Sequence, residues 1–322
     1  MPIRNRLTKL LDIEHPVLLA PMDLVSGGRL AAAISQAGGL GLLGGGYGNA
    51  EWIEREWGRA GNARIGCGFI TWSIAKNPDV LHRALLHRPA AVMLSFGDPR
   101  PFSGIIKAAG SKLICQVQTL AHARQAVEAN ADVIVAQGTE AGGHGMSHPL
   151  MTFLPQVVDA CPDMPVVAAG GIADGRGLAA AFALGAEGVM MGTRFYASQE
   201  AEGHPEAKRR IVAAESGDTV RSTLFDLSRQ IRWPEGYTGR LLRNKHSDRW
   251  LGRESELEDQ IGDVAKQYAA AREQGDFDMA GVIAGESAGL IHDIPAAGDI
   301  VERITAEAES IKAKLAAASS AG

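Results

Sequence analysis

The stretch Gln137-Gly138-Thr139-Glu140-Ala141-Gly142-Gly143-His144-Gly145 follows directly on the apolar run Asp132-Val133-Ile134-Val135-Ala136. Glycine has no Cβ, so backbone of this kind can approach a large flat ligand, and one imidazole among the glycines is placed to exchange a proton with it. His144 is therefore the candidate catalytic residue. Two more segments, Gly170-Gly171-Ile172-Ala173-Asp174-Gly175 and Gly192-Thr193-Arg194-Phe195, have the composition of anion sites. Open backbone N–H groups at Gly170, Gly171 and Gly192, with the Thr193 hydroxyl as a further donor, suit a phosphate.

Two other spacings are poorer guides. Gly39-Leu40-Gly41-Leu42-Leu43-Gly44 satisfies G-x-G-x-x-G, yet it falls within an apolar run instead of between a strand and a helix, so the context of a dinucleotide site is missing. Glu140, His144 and His148 recur every four residues and would share one helix face as metal ligands. Gly142, Gly143, Gly145 and Pro149 oppose such a helix, and no metal is expected. His15, His82, His87, His204 and His246 show no comparable convergence and are assigned no role.

The elements that must position these residues are legible as periodicity. Short apolar runs occupy 17–20, 40–43, 64–69, 91–95, 112–117, 132–136, 165–169 and 188–191, with helix-like segments such as 29–37, 121–129 and 177–184 between them. The runs are continuous and not alternating, as in strands buried on both faces. Eight such strands alternating with helices predict an α/β fold, a (β/α)8 TIM barrel, with the site at the C-terminal ends of the strands. Each chemistry-bearing segment follows one of them: Ala20-Pro21-Met22 the first, Phe69-Ile70-Thr71-Trp72 the third, Gln116-Val117-Gln118 the fifth, then the three segments above. The loops after the seventh and eighth strands are where such barrels hold phosphate.

The chain has 322 residues, 46% hydrophobic and 21% charged, enough for one large domain with an addition. A net charge of -5 argues against a nucleic-acid binder. Cys67, Cys115 and Cys161 form no CxxC pair and are expected as reduced thiols. The N-terminus, Met1-Pro2-Ile3-Arg4, lacks the apolar segment of a signal peptide, and no run is long enough for a membrane span, so a cytoplasmic protein is expected.

Taken together, Ala20-Pro21-Met22, Gly66-Cys67-Gly68-Phe69, Glu140-Ala141-Gly142-Gly143-His144, Ala168-Ala169-Gly170-Gly171-Ile172-Ala173-Asp174-Gly175 and Met191-Gly192-Thr193-Arg194-Phe195 resemble the nitronate monooxygenases, formerly 2-nitropropane dioxygenases, over nearly the whole chain. Similar loops occur in FMN-dependent enoyl-acyl-carrier-protein reductases and in NADH:quinone reductases of this fold. The resemblance implies FMN at the barrel mouth, its phosphate on Gly171, Gly192 and Thr193. Ala20, Met22, Gln116, Gln137 and Gly142 match positions lining the isoalloxazine and ribityl chain, and Gly68, Ala169, Gly170 and Met191 belong to the same matching segments. His144 matches the family's catalytic histidine, which takes a carbon-bound proton from a nitroalkane or holds the anionic nitronate. The implied reaction consumes a nitronate or nitroalkane and O2 and yields a carbonyl compound and nitrite. The implied alternatives are an NAD(P)H-dependent flavin reductase and, outside enzymes, a flavin-binding sensor barrel; a homodimer is compatible with each.

Two departures stand out. Gly68 aligns where several relatives carry asparagine, and Gln116 where others carry lysine, which leaves a neutral donor in place of a fixed charge. In such a family residues 1–196 form the barrel, 197–279 a helical cap subdomain over its mouth, and 280–322 helices returning to the barrel wall. The insertion Arg232-Trp233-Pro234-Glu235-Gly236-Tyr237-Thr238-Gly239-Arg240 has aromatic and arginine content assigned equally to packing and to substrate contact. The last helix, 300–318, is expected to dock through Ile300, Ile304, Ile311 and Leu315, ahead of a small-residue tail, 317–322.

Overall fold

Along the apolar runs, successive side chains enter two different cores, which is why the runs have no polar face. On the strand Ala91–Ser95, Ala91 and Met93 join an inner cluster and Val92 and Leu94 an outer one; Val133 and Val135 against Ile134 and Ala136 repeat this on Val133–Gln137. The computed structural model describes residues 3–215 and 217–320, so Met1, Pro2 and the last two residues of the tail lie outside the described residues.

The strands are β1 (Val17–Leu19), β2 (Leu42–Gly46), β3 (Gly66–Ile70), β4 (Ala91–Ser95), β5 (Lys112–Val117), β6 (Val133–Gln137), β7 (Gly143–Gly145), β8 (Val166–Ala169), β9 (Gly188–Met191), β10 (Thr219–Ser222) and β11 (Thr238–Leu242). Eight of them form one parallel sheet in the order β1-β9-β8-β6-β5-β4-β3-β2. Its two ends meet at a parallel bridge between Leu18 and Leu40, where Leu19 N–H donates to the Leu40 carbonyl and Leu40 N–H to the Val17 carbonyl, each at 3.0 Å. The sheet is thus closed into the expected (β/α)8 barrel. Helix Arg6–Leu11 places Leu7 and Leu11 in the inner cluster. It seals the N-terminal end, since a Cβ on Gly188, the first residue of β9, would sit 2.5 Å from Leu7.

The expected strand positions hold except at β2, expected over 40–43 and found at Leu42–Gly46. The three glycines there do not turn the chain. A Cβ on Gly44 would lie 2.1 Å from the Met22 carbonyl oxygen, so glycine lets the segment after β1 lie directly on β2.

Residues 192–296 separate β9 from the helix Ala297–Ser320, which packs against the helices Gly175–Ala183 and Gly28–Gln36 and so occupies the last helical position of the barrel. Ile300 and Ile304 are buried as expected, but Leu315 is 63% exposed, because the end of the helix extends past its neighbours. The expected cap is not purely helical: β10 and β11 form a three-stranded antiparallel sheet with β7, the segment that carries His144. Among the described residues no helix is long and apolar enough to cross a membrane. The three cysteines are buried and unbridged.

Candidate active site

A cavity of about 380 Å³ opens at the C-terminal ends of the barrel strands, within the size range of small-molecule sites. Every residue assigned from the sequence to catalysis or cofactor binding lines it. Ala20 and Met22 come from the segment after β1, Gly68 from β3, Gln116 from β5 and Gln137 from β6; Gly142 and His144 come from the glycine-rich loop. Ala169, Gly170 and Gly171 follow at the end of β8, and Met191, Gly192 and Thr193 at the end of β9.

The glycines have different physical reasons. Gly171 has φ +72°, a conformation in which any other residue would be strained. Gly68 faces Pro21, whose Cγ would be 2.3 Å from an added Cβ; the ring fills the place of a longer side chain, so asparagine cannot stand here without moving Pro21. Gly142 is fixed by the returning chain, with Gly285 N 2.6 Å from its would-be Cβ. Gly192 has no such reason within the protein: its nearest atom would be Met22 Sδ at 3.5 Å, an ordinary contact.

The donor set at this end fits a phosphate. The backbone N–H groups of Gly171, Gly192 and Thr193 donate to no described backbone carbonyl. The Thr193 hydroxyl oxygen accepts from Gly285 N–H at 2.9 Å, which leaves its own hydrogen to donate. Deeper in, the side-chain oxygen Oε1 of Gln137 accepts from Gln116 Nε2 at 3.1 Å and from Gln118 Nε2 at 2.8 Å, while Gln137 Nε2 donates to the His144 backbone carbonyl at 3.0 Å. These amides tie the floor of the cavity to the histidine loop.

Glu140, His144 and His148 do not share a helix. The Glu140 carboxylate accepts from Leu150 N–H at the start of helix Leu150–Ala160, and His148 packs on Phe153. His144 instead lies on β7, opposite Gly239 of β11. The loop is held by two arginines paired across β10 and β11: Arg221 donates to the carbonyls of Thr139 and Ala141, each at 2.9 Å, and Arg240 to Thr139 at 2.9 Å. Burial, then the neighbouring charge of Arg240, pushes Arg221 down to about 10.

His144 Nε2 lies 2.8 Å from Asp226 Oδ2, with the two side chains 10% and 9% exposed. A carboxylate only accepts, so the ring hydrogen sits on Nε2 and the lone pair on Nδ1. Burial pushes His144 below its ordinary value; the hydrogen bond and charge of Asp226 pull it back up, and Arg229 and Arg221 push it down further. The net fall keeps the imidazole neutral and able to accept a proton near pH 7. Trp233 stacks on the ring, centroids 3.4 Å apart and planes 9° from parallel, and its Nε1–H donates to the Tyr47 hydroxyl at 3.0 Å. Phe96 packs edge-on against both His144 and Trp233.

Asp226, Tyr47, Phe96, Arg229 and His204 also belong to this cavity or its histidine and were not singled out from the sequence. His204 lines the wall and caps the helix Pro205–Ala213 through Nδ1. Asp226 left one faint signal, an acid set among Leu224, Phe225 and Leu227 on a short buried helix.

Comparison with known proteins gives concordant results. The nitronate monooxygenase family profile matches residues 4–60 and 72–307. The chain is 33% identical to a nitronate monooxygenase of Neurospora crassa over 347 aligned positions, covering 92% of this chain and 90% of that protein. It is 37% identical over 230 positions to a (3aS,4S,5R,7aS)-5-hydroxy-7a-methyl-1-oxo-octahydro-1H-indene-4-carboxyl-CoA dehydrogenase of Rhodococcus jostii, covering 70% and 64%. Among solved structures, FabK from Thermotoga maritima superposes with a TM-score of 0.87 at 34% identity, covering 98% and 99%. Nitroalkane oxidase from Streptomyces ansochromogenes gives 0.79 at 27% identity, covering 97% and 100%.

Proposed function

Because the chain belongs to the nitronate monooxygenase family and is a flavin-dependent oxidoreductase of that type, we propose that it binds FMN and oxidises alkyl nitronates, and the nitroalkanes that give them, with O2 to carbonyl compounds and nitrite. The observation that carries this reading is His144 in the cavity wall paired with Asp226, since a buried, neutral, oriented imidazole is a base matched to a weak carbon acid. The backbone N–H groups of Gly171, Gly192 and Thr193 would take the phosphate, and the segment 20–22 with Gln116 and Gln137 would line the ring system. Bound FMN would supply the one-electron oxidation and the reaction with O2.

The residues themselves bind, orient and move a proton. Nδ1 of His144 accepts the α-hydrogen of a neutral nitroalkane, and Asp226 stabilises the imidazolium that results. With a preformed nitronate no proton needs removing, and the neutral ring has only to help hold the anion in place. Trp233, Phe96 and Tyr47 exclude water around this exchange. In His144→Ala, flavin retention should persist and nitrite release from a neutral nitroalkane should fall far more than release from its nitronate. Equal losses on the two substrates would refute the base.

A flavin reductase driven by NADH or NADPH, acting on an enoyl thioester or a quinone, is the second reading. It is supported by the reductases whose loops this chain resembles and by the close superposition with FabK. Rapid oxidation of NADH or NADPH would separate it from nitronate oxidation.

A further inference from the structure

Arg229 ends the short helix Leu224–Ser228 that carries Asp226, and it lines the cavity. Its guanidinium carbon lies 5.7 Å from the centroid of the Tyr47 ring, Tyr47 takes the hydrogen of Trp233 Nε1, and Trp233 stacks on His144. Arg229 is thus linked to the histidine through two aromatic side chains on one wall.

Three nearby arginines use their guanidinium groups within the protein, whereas Arg272, which also lines the cavity, forms no side-chain hydrogen bond or ion pair with a described residue but lacks the aromatic link to His144 that Arg229 has. Arg221 donates to the carbonyls of Thr238, Thr139 and Ala141, Arg240 pairs with Glu286, and Arg210 pairs with Asp278. The backbone N–H of Arg229 caps its helix on the Phe225 carbonyl, but its guanidinium forms no hydrogen bond or ion pair with any described residue and meets only the Tyr47 ring. Asp23 also lines the cavity; burial pushes its carboxyl up and the charges of Arg229 and Arg272 pull it back down, and no ion pair joins it to Arg229. Arg229 in turn helps push His144 down. A half-buried guanidinium with a planar fork of free donors, facing a mostly apolar cavity, is a site for a planar anion.

We infer that Arg229 is the anion-binding residue of this cavity, its fork taking the two oxygens of a planar oxyanion beside the Trp233–His144 stack. The anion is the nitronate in the proposed reaction, an identity that rests on that reading; nitrate, which has the same planar O–N–O arrangement and cannot react there, is its probe. The site itself does not depend on turnover.

The test is calorimetric titration of nitrate into the flavin-loaded protein, wild type against Arg229→Gln and Arg229→Lys, with the flavin midpoint potential measured on the same samples. Flavin content and circular dichroism establish that each variant is folded, and the lysine variant keeps a charge if the glutamine variant fails to fold. Losing a charged hydrogen-bonding pair should weaken nitrate binding about 10- to 100-fold in Arg229→Gln. Arg229→Lys should fall between, because it keeps the charge and loses the fork. Nitrate affinity unchanged in both variants would overturn the inference, and a lowered midpoint potential with unchanged affinity would do so by placing Arg229 against the cofactor. Arg229-dependent nitrate binding in a protein that does not oxidise nitronates would uphold the anion site and refute the reaction, whereas nitronate turnover indifferent to Arg229 would do the reverse.

Discussion

Replacing Asp226 by asparagine removes the charge that orients His144 while leaving the size of the side chain nearly unchanged. The bond at stake is the 2.8 Å contact from His144 Nε2 to Asp226 Oδ2, between side chains only 10% and 9% exposed, so solvent cannot replace it. A hydrogen bond to a charged group contributes about 1.5–3 kcal/mol, and this one strengthens as the imidazolium forms, so proton abstraction should slow about 10- to 100-fold. The direction of the pH effect follows from the causes of the shift. Burial lowers His144, and the hydrogen bond and charge of Asp226 raise it. Without the carboxylate the pKa falls further, so the acid limb of kcat/KM for a neutral nitroalkane should move to lower pH as its plateau drops. Preformed nitronate should be affected much less. An unchanged plateau and limb, or a limb moving to higher pH, would refute the assigned role.

Trp233→Ala should have the opposite effect on the limb: removing the ring stacked 3.4 Å from His144 admits water, and the limb should move up toward the ordinary value of 6.5. Gly192→Ala should leave the stability of the flavin-free chain almost unchanged, because the methyl group meets nothing closer than 3.5 Å, yet reduce flavin retention measured by equilibrium dialysis. Gly171→Ala, at φ +72°, should lower both, with the flavin-free chain losing about 1 kcal/mol in urea unfolding. His246 is pushed by burial to about 4, so between pH 6.5 and 4 the unfolded chain holds a proton that the folded one refuses. That contribution is fully present above 6.5 and is lost as pH falls, at up to about 1.4 kcal/mol per pH unit, and His246→Gln should flatten the slope of unfolding free energy against pH.

The barrel was legible because burial on both faces imposes continuous apolar runs, and the site because its glycines and His144 follow those runs in the order of the strands. β2 was misplaced because the glycines 44–46 look like a turn, and only the approach of the Met22 carbonyl shows why they lie in a strand. The small sheet beside the cavity had no local signature. Gly143-His144-Gly145 has no strand propensity and becomes β7 only by pairing with β11, residues 238–242, far along the chain. The partner of His144 was hidden for the same reason: Asp226 lies 82 residues away, and no spacing rule connects the two. Nothing in the sequence sets Arg229 apart from Arg221 or Arg240; what distinguishes it is a guanidinium in the cavity wall that, unlike theirs, makes no hydrogen bond or ion pair, which only the folded arrangement shows.

The most direct test is anaerobic mixing of the flavin-loaded protein with propyl-2-nitronate and, separately, with NADH or NADPH, following the flavin absorbance. Reduction of the flavin by the nitronate alone, with no bleaching by either nicotinamide, is the expected result. Rapid bleaching by NADH or NADPH with no response to the nitronate would contradict nitronate oxidation and place the protein among the nicotinamide-driven reductases.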